Sequence, residues 1–133
     1  MILVDTNVIL DVVLNDRVWA NWSQQQLDSA SLRDTLCVNP IIYAELSLAF
    51  MRIEQLERVL SDGRVSVEPI PREALFLAGK AFLKYRQGRG TKTNVLPDFF
   101  IGAHAAVEEL PLITRDVGRY RTYFPTVQLL TPG

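Results

Sequence analysis

Four acids occupy positions where an acid is costly. Asp5 directly follows the apolar run Ile2-Leu3-Val4, and Asp116 comes two residues after Leu112-Ile113-Thr114. Glu45 is the only formally charged residue from Asn39 to Met51, and Asp98 the only one from Thr93 to Val107. A carboxylate taken out of water without a partner costs several kcal/mol, so it is paired, protonated or bound to a metal. No basic residue lies beside Glu45 or Asp98 in sequence. Taken singly, each acid has a plain explanation: a helix cap for Asp5 or Asp98, a loop acid for Asp116, a satisfied helix acid for Glu45. Taken together, they could converge on one pocket, where their charges would repel. A hard divalent cation is the usual remedy. Mg²⁺ or Mn²⁺ takes one or two carboxylates plus phosphate oxygens and water, and can bring water to attack a phosphodiester.

Convergence depends on the elements that carry the acids. Residues 2–4 read as a buried strand and Asn7 to Leu14 as a helix, with a second helix over about Val18 to Ser29. A strand at 35–38 precedes Asn39-Pro40, a capping residue followed by proline at the first helical position. That helix should run to about Met51, sharing a face between Glu45, Ile41, Leu48 and Ala49. A further helix ends near Leu60 at the turn signal Ser61-Asp62-Gly63. Residues 65–70 (VSVEPI) form a strand, and Pro71 opens a long helix to about Tyr85. Residues 87–97, with two glycines and a proline, read as a mobile loop. Asp98 starts a helix to about Glu109, and strands follow at 112–114 and 127–130. Strands alternating with helices imply one α/β domain over residues 1–133, with a mostly parallel central sheet flanked by helices on both faces. Asp5 and Asp116 then follow parallel neighbours, at the carboxyl edge where open α/β sheets place their sites.

Composition narrows the class. Of 133 residues, 48% are apolar and 22% charged, which suits one soluble globular domain. The lone cysteine, Cys37, excludes an internal disulfide and suits a reducing cytosol. No run approaches the ~18 apolar residues of a membrane span. The N-terminal stretch lacks a basic leader and is broken by Asp5 and Asp11, which argues against a signal peptide. The net charge of −1 suggests no nucleic-acid partner, but it hides a basic stretch: Lys80, Lys84, Arg86, Arg89 and Lys92 occur between Ala74 and Pro97 without an acid.

DTNV near the N-terminus, PIIYAEL, PDFFIGAHAA, and TRDVGRY followed by YFP and LLTP resemble a PIN-domain protein. Size and motif set are similar to the VapC ribonuclease toxins of prokaryotic toxin–antitoxin pairs, and the resemblance spans Ile2 to Pro132. No single motif is specific; the ordered set of four acids is. The resemblance implies a cytoplasmic Mg²⁺-dependent endoribonuclease acting on single-stranded RNA, with Mn²⁺ as a substitute ion. It also implies a cognate antitoxin that blocks the site, and a homodimer. Asp5, Glu45, Asp98 and Asp116 become the catalytic acids, with Asp5 and Asp98 as the main metal ligands. Thr6 and Thr114 would orient carboxylates or waters, and the nucleophile would be a metal-activated water.

Basic residues near these acids are candidates for RNA phosphate contacts, which position the strand without reading its sequence. Arg89 and Lys92, in the loop before Asp98, are the stronger pair; Arg115 and Arg119, one turn apart, are the others. His104 lies six positions after Asp98, about 120° away around a helix at 100° per residue, and so reads as a packing residue. Trp19 and Trp22 read as packing as well. Two rivals remain: a phosphoacceptor signalling domain, which needs a strand-end lysine that no apolar run supplies, and a non-catalytic interaction module on a related fold.

Overall fold

The computed structural model describes residues 1–88, 90–92 and 95–132. Five strands, β1 (Ile2–Val4), β2 (Leu36–Val38), β3 (Val65–Val67), β4 (Leu112–Ile113) and β5 (Leu129–Leu130), make one sheet in the order β3-β2-β1-β4-β5. Every pairing is parallel. Strands buried on both faces need continuous apolar runs rather than alternation. β1, β2 and β4 satisfy this, with all their residues buried.

Seven helices surround the sheet among the described residues: α1 (Thr6–Val13), α2 (Ala20–Ser31), α3 (Pro40–Ser47), α4 (Ile53–Asp62), α5 (Arg72–Gln87), α6 (Leu96–Val107) and α7 (Gly118–Tyr123). From β1 the chain steps one way to β2 and β3, then crosses back to lay β4 on the other side of β1. Right-handed crossovers running in opposite directions put their helices on opposite faces of the sheet. The order therefore reverses between β1 and β4, and open α/β sheets form their crevice at such a switch point, outside the carboxyl ends of the strands.

Local chemistry moves several boundaries. α3 stops at Ser47 rather than near Met51, because the next N–H groups bond three residues back: Leu48 to Glu45, Ala49 to Leu46, Phe50 to Ser47. Leu48 is consequently 89% exposed and shares no buried face with Glu45. β3 ends at Val67, since Pro69 and Pro71 cannot donate to a ladder. α2 begins at Ala20, two residues late, because the Asp16 carboxylate accepts the N–H groups of Val18 and Trp19 and closes a turn there. Beyond Gly63 the left-handed residue is Arg64, at φ 55°. α6 starts at Leu96, which puts Asp98 inside its first turn rather than at its cap.

α6 crosses close to α7 and the residues that follow it. A Cβ at Gly102 would run into the buried ring of Phe124. On the same helix His104 is 2% exposed, and Asn39 Nδ2 donates to its Nδ1 at 3.2 Å. The Asn39 side-chain oxygen meanwhile caps α3 at the Ile42 N–H, 2.9 Å away. Burial holds the His104 pKa below its usual range, so the ring is a neutral brace between α6 and the start of α3.

Candidate active site

Asp5 follows β1 and caps α1, and both oxygens of its carboxylate are engaged. Its Oδ1 accepts the Thr6 N–H at 2.7 Å, an N-terminal cap contact. Its Oδ2 accepts from the Thr114 hydroxyl (2.8 Å), the Tyr120 hydroxyl (2.9 Å) and Asn7 Nδ2 (3.3 Å). Burial pushes the carboxyl up from 3.8 to about 6, against the hydrogen bonds from Thr114 and Tyr120, and the Asp98 charge adds to the rise. A group that only capped a helix would not need two further donors from more than a hundred residues along the chain.

The other acids stand around it. Burial raises the Asp98 pKa first; the nearby Arg119 opposes this, and the charges of Asp116 and Glu45 add to it. Burial likewise lifts the Tyr120 hydroxyl well above 10, helped by the charges of Asp5, Asp98 and Asp116, so Tyr120 remains a donor at neutral pH. Glu45, half-buried on α3, accepts the Thr6 hydroxyl at 2.6 Å. Asp116 is exposed at the mouth of the crevice, its N–H bonded to Thr114 Oγ1 at 3.0 Å. Asp98 on α6 thus feels the charges of Glu45 on α3 and Asp116 in the turn after β4, and its own charge reaches Asp5 at the end of β1.

The basic residues divide. Arg119 Nη1 reaches Asp98 Oδ2 at 2.5 Å, placing a cation inside the crevice. Arg115 does not point its charge at a phosphate site. Its Nε and Nη2 grip the two oxygens of Asp11 at 2.7 and 2.8 Å, and its guanidinium lies over the Trp19 ring. Lys92 is exposed ahead of α6, its N–H on the Tyr85 hydroxyl. Arg89 lies outside the described residues. Lys84 and Arg86 sit in the last turn of α5, where cations suit the helix dipole.

Three contributors escaped the sequence reading: Asp11, Asn7 and Tyr120. Asp11 is 3% exposed and also accepts the Ser23 hydroxyl at 2.7 Å. Asn7 Oδ1 takes the Arg115 N–H while its amide nitrogen serves Asp5. The Arg115–Asp11 pair therefore ties the turn bearing Asp116 to α1. Arg115→Ala strands a buried carboxylate, and chemical denaturation should show a loss of about 2–4 kcal/mol, somewhat less than a fully buried pair costs because Arg115 is itself 30% exposed. A loss under about 0.5 kcal/mol would place it with ordinary surface pairs.

The sequence profile of the PIN domain matches residues 2–125. The chain belongs to the PIN domain family. Against curated protein sequences it has no significant match. Several solved structures share the fold of this PIN domain. VapBC2 from Rickettsia felis, bound to a promoter DNA fragment, superposes with a TM-score of 0.73 at 20% identity, covering 98% of each chain. FitAcB from Neisseria gonorrhoeae gives 0.67 at 25%, covering 98% of this chain and 96% of the other. A toxin–antitoxin complex from Klebsiella pneumoniae gives 0.68 at 22%, covering 100% and 98%. No helix among the described residues is long and apolar enough to cross a membrane.

The donor set suits a hard cation. No three histidines, cysteines or acids among the described residues cluster tightly enough to hold a metal by themselves. His104 and Cys37 are buried elsewhere, which removes the ligands zinc prefers. Mg²⁺ needs only one or two carboxylates and keeps its waters. Asp5 and Asp98, the second of which raises the pKa of the first, would supply that number.

Proposed function

We propose that this PIN domain is a Mg²⁺- or Mn²⁺-dependent endoribonuclease that cuts single-stranded RNA. It is the toxin of a pair whose antitoxin covers the acidic crevice. The observation that carries this reading is the meeting of Asp5, Glu45, Asp98 and Asp116 at the point where strand order reverses. Asp5 and Asp98 would hold the cation, which supplies positive charge against phosphodiester oxygens and lowers the pKa of water. Thr114 and Tyr120 keep Asp5 in one orientation by donating to the same oxygen, and Thr6 does this for Glu45. Asp116 adds negative charge at the mouth. Lys92, Arg89 and Arg119 are the phosphate contacts of this reading.

The partner follows from the same chemistry. A basic side chain, ideally a bidentate arginine, suits clustered carboxylates. A groove of about 430 Å³ between α1, α2 and α4, lined by Ile9, Val13, Leu27, Val59 and Leu60, suits the apolar face of a helix. The structural neighbours are themselves toxin–antitoxin complexes, which supports an antitoxin here; a homodimer and a cytoplasmic setting belong to the same reading. No strand end carries the lysine a phosphoacceptor domain requires: β1, β2, β3, β4 and β5 are followed by Asp5, Asn39, Glu68, Thr114 and Thr131.

Purified protein should cleave single-stranded RNA internally with Mg²⁺ or Mn²⁺ and stop when a chelator is added. Cleavage undiminished in chelator removes the cation from the reading. No cleavage with either ion removes the nuclease.

A further inference from the structure

α7 places neighbouring residues on two different carboxylates. Tyr120 donates to Asp5, and Arg119 donates to Asp98. The two arginines near the crevice are held in contrasting ways. Arg115 makes two bonds to a carboxylate that is 3% exposed and lies over an indole, which fixes it. Arg119 makes a single contact through Nη1, and the side chains of the pair are 23% and 27% exposed. The rest of its fork stays available, since a guanidinium carries five N–H donors. The Tyr120–Asp5 bond anchors the helix backbone beside it, so the Arg119 side chain can turn without α7 moving.

Taking the proposed nuclease site as given, we infer that Arg119 is a built-in counter-ion for that site. It holds Asp98 while the pocket carries no cation, and once displaced it becomes the contact for an RNA phosphate. The physical basis is competition. A guanidinium and a divalent ion cannot both rest on Asp98 Oδ2 without strong repulsion, so the ion pair and cation binding are coupled with opposite sign. Displacement leaves a partly desolvated guanidinium beside the crevice, and a phosphate oxygen is the group it suits best. A site of this design carries internal neutralisation when empty and directs positive charge to substrate when loaded.

The test uses the full chain without RNA. Mn²⁺ uptake, followed by the electron paramagnetic resonance of the free ion, is compared among wild type, Arg119→Gln, Arg119→Lys and Arg121→Gln. Arg121 is an exposed residue of the same helix and serves as the control. Arg119→Gln should bind Mn²⁺ about two- to fivefold more tightly, the scale of a partly exposed ion pair, and Arg121→Gln should match wild type. With Mn²⁺ saturating, Arg119→Gln should hold a cleavage-resistant 2′-O-methyl RNA more weakly, its salt slope shallower by about 0.7. Arg119→Lys, with charge but no fork, should bind Mn²⁺ with intermediate affinity, and it carries the test if the glutamine variant does not fold. Unchanged or weaker Mn²⁺ binding in the Arg119 variants overturns the inference while leaving the nuclease reading in place. A wild-type chain that takes up no Mn²⁺ overturns both.

Discussion

Asp98→Asn is expected to slow single-turnover RNA cleavage at saturating Mg²⁺ by at least about 100-fold, the scale of losing one preorganised electrostatic contact. The fold should survive. Asparagine keeps the shape of the side chain, and the lost Arg119 contact is a partly exposed pair, worth no more than about 1 kcal/mol. The substitution also removes a charge that raises the Asp5 pKa, so Asp5 should titrate lower in the variant. Cleavage rates and thermal melts of the same preparations separate the possibilities. A rate within a few-fold of wild type would exclude Asp98 from the chemistry. A large fall in melting temperature beside the lost rate would make its role structural.

The second expected result is a pH dependence that changes sign with the cation. Folding raises the Asp5 pKa from 3.8 to about 6. Between those values the folded chain binds a proton that the unfolded chain releases. Asp5 therefore contributes stability that is full below about pH 4 and lost as pH climbs through 6. The loss is about 3 kcal/mol. Asp34 runs the other way and Asp98 the same way, so the informative quantity is the difference between wild type and Asp5→Asn. Asparagine still caps a helix. Relative to wild type, Asp5→Asn should therefore gain stability from pH 4 to 7 in chelator. Mg²⁺ reverses the comparison, because a cation needs the deprotonated carboxylate. At about 100 times its dissociation constant it stabilises by roughly 2.7 kcal/mol at neutral pH. The variant should gain clearly less, and wild type should gain little near pH 4. Parallel stability–pH curves for the two proteins in chelator would show that Asp5 is not titrating in the crevice.

What the sequence made legible depended on how local the signal was. β1, β2 and β4 could be read because strands buried on both faces are uniformly apolar, and Asn39-Pro40 marked α3 because capping chemistry is local. The four acids could be singled out because three of them interrupt apolar stretches and Asp116 closely follows one. Partnerships were not legible. Arg115 and Arg119 look alike in the sequence, one turn apart, yet one is locked on Asp11, 104 residues away, and the other rests on Asp98. Asp11 looked like an interruption of a hydrophobic helix because its partners, Ser23 and Arg115, are distant in the chain. α7 was missed because six residues opened by a glycine give little periodicity. Its one signal was the spacing of Tyr120, Tyr123 and Phe124, which turns aromatic side chains to one side of a helix.

The span of the Asp5 hydrogen bonds bears on when the crevice can first exist in a cell. Thr114 and Tyr120 lie 109 and 115 positions beyond the residue they hold. Domains form as their chains are synthesised, and contacts this distant in sequence close last. A nascent polypeptide still short of residue 114 has the Asp5 carboxylate but neither hydroxyl that orients it, and lacks Arg119 as well. During translation the ribosome thus carries an unfinished pocket. The crevice is assembled only once β4 has docked beside β1 and α7 has closed over both acids.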